Sequence, residues 1–317
     1  MRAFIFPGQG SQAVGMGKVL ADASTVAREV FQEVDDALGQ NLFKLMVEGP
    51  PDELMLTENA QPAIMANAIA TWRVLQKEGG VSLVDKAAFV AGHSLGEYSA
   101  NVAAGTISFA DAVRTVRKRG KYMQEAVPVG VGAMAAILGM DLERVTAVCA
   151  EAAQGEACEP ANINSAEQIV ISGHAPAVER ATRLASERGA KRAIMLPVSA
   201  PFHCSLMKPA QDRLAADLQS LPFKQPAVPI VGNVDAAVIE DGDRARDALI
   251  RQVTGAVKWE QSVRLLIARG VQAFVEVGPG KVLCGLMRQI DRSRTSLNAG
   301  DEASLQKTLE QLSARAV

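Results

Sequence analysis

The sequence predicts an α/β protein, a large domain on a parallel sheet with a small ferredoxin-like unit inserted into it. Three observations carry this. Short apolar runs such as Phe4-Ile5-Phe6 and Ala87-Ala88-Phe89-Val90-Ala91 read as strands buried on both faces. They alternate with segments of helical period at 24–38 and 61–75, the pattern of a sheet sandwiched between helices. Further on, the order becomes strand 133–138, helix 142–153, strand 161–164, strand 168–172, helix 177–188 and strand 192–196. That βαββαβ order is the split unit of a ferredoxin-like module.

Each remaining element follows from the same periods. A small-residue helix at 97–104 follows the turn at Gly92, and a longer one spans 110–127. The small unit is entered near Pro128-Val129-Gly130 and left near 197–201, so 129–197 is assigned to it and 1–128 with 198–317 to the large domain. Afterwards strands are expected at 228–232 and 273–277, and a helix at 281–290.

With 317 residues, 48% hydrophobic and 21% charged, the chain has the composition of an ordinary globular protein, which excludes disordered and fibrous classes. A net charge of -2 offers no global attraction to nucleic acid or an anionic membrane. Cys149, Cys158, Cys204 and Cys284 lack metal-ligand spacing and read as free thiols. No apolar run reaches the roughly 18 residues of a membrane span. The expectation is a soluble cytoplasmic monomer.

Chemistry concentrates at Gly92-His93-Ser94-Leu95-Gly96. Gly-x-Ser-x-Gly between a strand and a helix is the pattern of a nucleophile elbow, which exposes the serine hydroxyl on a strained turn. The following helix aims its N-terminal amides at the turn, and the Leu95 amide is placed to stabilise an oxyanion. An ordinary strand-to-helix turn would carry the same five residues. A serine needs a base. Of three histidines, His93 should point away from its neighbour Ser94 and His174 reads as a surface turn residue, which leaves His203 in Ser199-Ala200-Pro201-Phe202-His203. A loop histidine without chemistry is the alternative.

On the 110–127 helix, Arg114, Arg117, Lys118 and Lys121 form one basic stripe, whereas Arg119 falls with Ala112, Val116, Met123 and Ala126 on the inward face. An inward arginine is costly unless it meets an anion, and its planar fork suits a carboxylate. Arg119 is therefore a candidate for binding the carboxylate of a dicarboxylic acyl group, with an ion pair to a distant acid as the alternative. Gly8-Gln9-Gly10-Ser11-Gln12-Ala13 fits a dinucleotide fingerprint in spacing but lacks the second strand that fold requires. Such a turn can supply a second oxyanion amide, with Gln9 as candidate.

Phe6 to Gln12, Gly92 to Glu97, Arg119 to Gln124, Pro201 to His203, Gly232 to Val234, Arg251-Gln252 and Glu276 to Gly280 stand in this order along nearly the whole chain. In these motifs it resembles the malonyl-CoA:acyl carrier protein transacylases of bacterial type II fatty acid synthesis. The resemblance implies a large α/β-hydrolase-like domain carrying the small insertion. It makes Ser94 the nucleophile, His203 the base and Gln252 the residue whose backbone carbonyl orients the histidine. Amides of Gln9 and Leu95 would form the oxyanion hole, Arg119 would hold the malonyl carboxylate, and Gln61 and Asn162 match polar positions nearby. Phe202 resembles the malonyl-preferring pattern.

Malonyl-CoA and the phosphopantetheine thiol of acyl carrier protein would exchange the malonyl group through an ester on Ser94, with ping-pong kinetics and without metal or cofactor. An acidic carrier protein would find the stripe Arg114, Arg117, Lys118 and Lys121. The competing class is a serine hydrolase, either a thioesterase or a patatin-like lipase whose dyad Asp241-Gly242 would imitate. A non-catalytic interaction module and a Cys204 nucleophile are further alternatives.

Overall fold

Ala3, Phe4, Ile5 and Phe6 of β1 (Arg2–Phe6) are fully buried in the computed structural model, which describes residues 1–198 and 200–313. Phe4 and Phe6 join one core cluster, Ala3 and Ile5 another, so the strand's two faces serve two layers. This is the behaviour expected of a strand in a covered parallel sheet. β2 (Phe89–Gly92) divides in the same way, with Val90 in the first cluster and Phe89 and Ala91 in the second. Ser199, within the run leading to His203, and residues 314–317 of the large domain lie outside the described residues.

Four further strands, β3 (Gly132–Leu138), β4 (Cys158–Ser165), β5 (Gln168–His174) and β6 (Arg192–Met195), make an antiparallel sheet of order β4-β5-β3-β6. Helices Leu142–Ala153 and Ala175–Glu187 complete the βαββαβ order and cover one face, where Ala135, Ile137, Ile169 and Ile171 meet Val145, Val148, Val178 and Ala181. Met134 and Val170 point the other way, into the main core. β4 begins three residues earlier than expected because it runs through an irregular register at Pro160.

The larger sheet adds β7 (Ile230–Val231), β8 (Val238–Ile239), β9 (Ala273–Val277) and β10 (Thr295–Ala299), in the order β10-β9-β1-β2-β7-β8. All its pairings are parallel except β7 with β8. Only two residues of the expected strand at 228–232 pair, and β8 and β10 were not anticipated. β8 has two residues, and both β8 and β10 are edge strands with partly exposed faces, so neither carries a buried apolar run.

Helix Thr57–Lys77 is buried on every side from Asn59 to Trp72, which makes it a core helix rather than an amphipathic one. Helix Phe109–Glu125 crosses it at Gly120, where an added Cβ would lie 2.6 Å from the Thr57 carbonyl oxygen. That close crossing carries Arg119 to the side of Gln61. Among the described residues no helix is long and apolar enough to cross a membrane.

β1 and β2 run side by side with Phe6 opposite Gly92, so the chain leaving β1 and the turn leaving β2 meet at one end of the sheet. Two glycines permit it. A Cβ on Gly92 would fall 1.9 Å from backbone atoms of Gly96, and one on Gly96 would fall 2.1 Å from the Phe6 carbonyl oxygen. These are backbone collisions that no rotamer change relieves. Gly92→Ala is expected to lower the unfolding free energy by more than about 3 kcal/mol; an unchanged urea midpoint would contradict this packing.

Candidate active site

Ser94 sits at φ 51°, in the left-handed region that costs a residue with a Cβ roughly 1–2 kcal/mol. Hydrogen bonds hold the turn there: the Ser94 amide donates to Asn233 Oδ1 at 2.7 Å, Gly96 N to the His93 carbonyl at 2.8 Å, and Glu97 N to the Ser94 carbonyl at 3.0 Å. Helix Gly96–Ala103 starts two residues after the serine, with Leu95 at its N-cap. Among the described residues the Leu95 amide has no acceptor, which leaves that donor available at the helix N-terminus.

His203, also in the left-handed region at φ 58°, places Nε2 2.7 Å from Ser94 Oγ. Its Nδ1 lies 2.9 Å from the backbone carbonyl of Gln252. A carbonyl only accepts, so Nδ1 carries the proton, Nε2 is left as an acceptor, and the serine hydroxyl donates to it. The sequence-based pairing of Ser94, His203 and the Gln252 carbonyl is therefore found in space. Burial, reinforced by the nearby charge of Arg119, pushes the imidazole down to about 3 and keeps it neutral.

Arg119 is 2% exposed and faces inward as its position on the helix requires. Nη1 donates to Gln61 Oε1 at 2.8 Å, and Nη2 to Gln252 Oε1 at 2.9 Å and to Ser94 Oγ at 3.2 Å. Every one of these partners is neutral. Nε is buried without a partner among the described residues. The alternative of an ion pair with a distant acid is not what the fold provides; the nearest network carboxylate, Glu97, is reached only through the side chain of Gln252, whose Nε2 donates to Glu97 Oε2 at 2.7 Å.

Other expected residues are placed less directly. Gln61 is in the site through Arg119. Gln9 is exposed and its side chain reaches Thr57 Oγ1 at 3.4 Å, while its neighbour Gly8 packs so closely on the elbow that a Cβ there would lie 2.5 Å from the His93 carbonyl. Asn162 has no polar contact with Ser94, His203 or Arg119. It lies on β4 where that strand bridges Val257, five residues beyond Gln252 in the chain. Asn164, two residues on, takes His93 instead, with Oδ1 2.8 Å from Nε2, so His93 is engaged away from the serine as anticipated.

Two alternatives are excluded, and one residue of the basic stripe lies deeper than the rest. Arg117 is half-buried and donates to Asn59 Oδ1 at 2.8 Å. The other stripe cations carry acidic partners, Arg114 with Asp111 at 2.6 Å, Lys118 with Asp217 at 2.6 Å and Lys121 with Glu125 at 3.9 Å. Asp241 caps helix Gly242–Arg251 by accepting from the Arg244 amide, so no lipase-type dyad forms with Ser94. Cys204 is fully buried, its thiol pushed up to about 11 by desolvation, which removes it as a nucleophile.

Glu276, conspicuous in sequence, does structural work. The Glu276 carboxylate accepts from the Leu283 and Cys284 amides at 3.0 and 2.8 Å and thereby caps helix Val282–Ile290. Residues that sequence reasoning did not single out are Glu97, Asn233 and the side chain of Gln252. Asn233 Nδ2 donates to the Gly92 carbonyl at 2.7 Å, its amide donates to Glu97 Oε2 at 3.1 Å, and Gln252 Nε2 donates to the Ser94 carbonyl at 2.9 Å. Both Glu97 and Asn233 lie inside recognised motifs, but only the folded chain brings them together.

Residues 3–309 match the acyl transferase domain family. The chain is 49% identical over 308 residues to the malonyl CoA-acyl carrier protein transacylase of Escherichia coli K12, covering 97% of this chain and 98% of that one. Its fold superposes with a TM-score of 0.96 on the acyl-carrier-protein-S-malonyltransferase of Bartonella henselae, at 47% identity and 99% coverage of both chains. A malonyl-transacylase solved with a type II PKS acyl-carrier protein superposes at 0.94, with 46% identity over 98% of this chain and 99% of that one. The chain therefore belongs to the acyl transferase family and, within it, to the malonyl CoA-acyl carrier protein transacylases.

One measurement checks the tautomer and charge of the base. With its folded value below the usual 6.5, His203 binds no proton until well below pH 6.5, so unfolding there takes up a proton and stability from this group falls as pH drops. Imidazole NMR is expected to show His203 neutral, with the proton on Nδ1, from about pH 8 down to about pH 5. A titration near the unperturbed value would contradict the geometry.

Proposed function

We propose that this protein transfers the malonyl group of malonyl-CoA to the phosphopantetheine thiol of acyl carrier protein, through a malonyl ester on Ser94. The observation that carries the reading is a buried guanidinium with only neutral partners, 3.2 Å from the serine hydroxyl that also meets His203 at 2.7 Å. A carboxylate one short spacer away from a thioester carbonyl satisfies both ends of that arrangement at once.

In the first half-reaction His203 Nε2 takes the proton of Ser94 as Oγ attacks the thioester carbon. The amides of Leu95 and Gln9 stabilise the oxyanion, and the imidazolium, held by the Gln252 carbonyl, returns the proton to the departing CoA sulfur. Arg119, steadied by Gln61, binds the free carboxylate of the acyl group; Asn162 is a further polar residue near the site, and Phe202 agrees with a preference for malonyl. A carrier thiol then reverses the steps, which gives ping-pong kinetics. One thioester replaces another of similar energy, so no metal or cofactor enters.

The wider assignments follow the same reading. Residues 1–128 and 198–317 form the α/β-hydrolase-like domain and 129–197 the ferredoxin-like insertion. Supporting this, the larger sheet takes strands from both sides of the smaller one, whose strands lie in the order second, third, first, fourth of a βαββαβ unit. The protein works as a cytoplasmic monomer with free thiols. Its acidic carrier docks on Arg114, Lys118 and Lys121, with Arg117 behind them. Exposed ion pairs contribute only about 0–1 kcal/mol, so carrier carboxylates can displace Asp111, Asp217 and Glu125 at small cost.

Incubation with malonyl-CoA and intact-mass measurement is expected to show one malonyl adduct, absent from Ser94→Ala. Arg119→Ala should lower malonyl transfer by about 100-fold while acetyl transfer falls less, since a lost charge-assisted bond inside a site is worth about 1.5–3 kcal/mol. Release of free malonate without an adduct, or an unchanged acyl preference, would refute the reading. Lys118→Glu combined with Lys121→Glu should raise the KM for the carrier several-fold and leave that for malonyl-CoA unchanged; if neither moves, docking lies elsewhere.

A further inference from the structure

Glu97 is 1% exposed and has no cation in direct contact, an expensive position for a carboxylate. Its Oε2 accepts from Gln252 Nε2 at 2.7 Å and from the Asn233 amide at 3.1 Å, and its Oε1 is buried without a partner among the described residues. Nothing in the transfer mechanism uses it.

Its two contacts lead to both ends of the site. Gln252 is the residue whose carbonyl orients His203 and whose side-chain oxygen accepts from Arg119, while its nitrogen faces three acceptors: Glu97 Oε2, the Ser94 carbonyl and Asn233 Oδ1. A carboxylate can only accept, so it admits the NH2 end of the amide and forces the oxygen toward Arg119. A flipped amide would set donor against donor at Arg119. Asn233, the second contact, fixes the elbow by accepting from the Ser94 amide and donating to the Gly92 carbonyl.

We propose that Glu97 is a positioning residue: its carboxylate locks the Gln252 amide and the Asn233 clamp, and serves Arg119 as a counter-charge one amide away. The spacing matters. A carboxylate directly on the guanidinium would occupy the place of the acyl carboxylate, whereas one behind Gln252 compensates the buried charge and leaves the fork open. This rests on the acyl-transfer reading of the same site.

A consequence reaches the pH dependence. Desolvation raises the Glu97 carboxyl to about 7, while His203 lies far lower, so the acid limb of malonyl transfer belongs to Glu97. Charged and titratable groups facing it are Arg119 from helix Phe109–Glu125, Arg251 from the end of helix Gly242–Arg251, and its neighbour Tyr98, whose hydroxyl is pushed up by burial; His203 lies beyond Gln252. As pH falls through about 7 the carboxylate gains a proton, so the counter-charge behind Arg119 is lost and one of the acceptors facing Gln252 Nε2 is weakened.

The test compares wild type, Glu97→Gln and Arg251→Gln by the rate of malonyl-Ser94 formation from malonyl-CoA against pH, with Tm measured alongside. Wild type should lose activity below about pH 7. Glu97→Gln keeps an acceptor oxygen but no charge: its rate should fall about tenfold above that pH, the acid limb should vanish, and its Tm at alkaline pH should equal or exceed that of wild type. A structural role alone would lower Tm and leave the limb in place. Arg251→Gln, at the surface, removes a charge that favours ionised Glu97 and should move the limb to higher pH. The same limb in wild type and Glu97→Gln, or no shift in Arg251→Gln should Glu97→Gln not fold, overturns the inference. If wild type itself forms no adduct, the acyl-transfer reading has failed instead.

Discussion

A positive charge without a direct negative partner, buried beside the reactive serine, is the constraint around which this molecule is arranged. Arg119 stays inside because its helix crosses a neighbour at Gly120 with almost no clearance, and because two glutamines meet its fork. Neutral acceptors hold the guanidinium in place without satisfying its charge. That unpaired charge is not a structural ion pair and fits the proposed role of carboxylate receptor, and it lies within hydrogen-bond distance of Ser94.

Gln252 links the parts. Its carbonyl sets the tautomer of His203, its side-chain oxygen steadies Arg119, and its nitrogen ties the Ser94 carbonyl to Glu97. One residue thus touches Ser94, His203 and Arg119, the proposed nucleophile, base and acyl-recognition groups, and its amide nitrogen meets a buried carboxylate. Ser94 and His203, the left-handed residues of the site, are each pinned by such contacts, so the strain there is sustained by the surrounding network rather than by local preference.

The fold brings these groups to one place by register. β1 and β2 end together, which lays Gly8 against His93 and starts a helix under the serine. β4 bridges Val257, five residues beyond Gln252, so the smaller sheet is fastened close to the residue whose carbonyl meets His203 Nδ1. His203 enters from the segment that leaves that sheet, with Ala200 and Phe202 packed in the main core. Much that is conspicuous elsewhere serves stability: Glu276 caps a helix, and the cations on helix Phe109–Glu125 mostly answer nearby acids.

Local chemistry made much of this legible in the sequence alone. The parallel core strands, the βαββαβ unit, the serine turn and the inward face of Arg119 follow from apolar period, glycine placement and helical angle, properties of residues close together in the chain. The choice of His203 followed from elimination among three histidines. The tertiary structure alone decided what Arg119 meets, which atoms of Gln252 do what, that Glu97 and Asn233 adjoin the site, and that Arg117 is half-buried against Asn59. These depend on contacts between residues 19 to 158 positions apart, which come together only when strand order and helix crossing are set. Short-range periodicity can say which side of a helix faces inward, but the group waiting there is determined by packing.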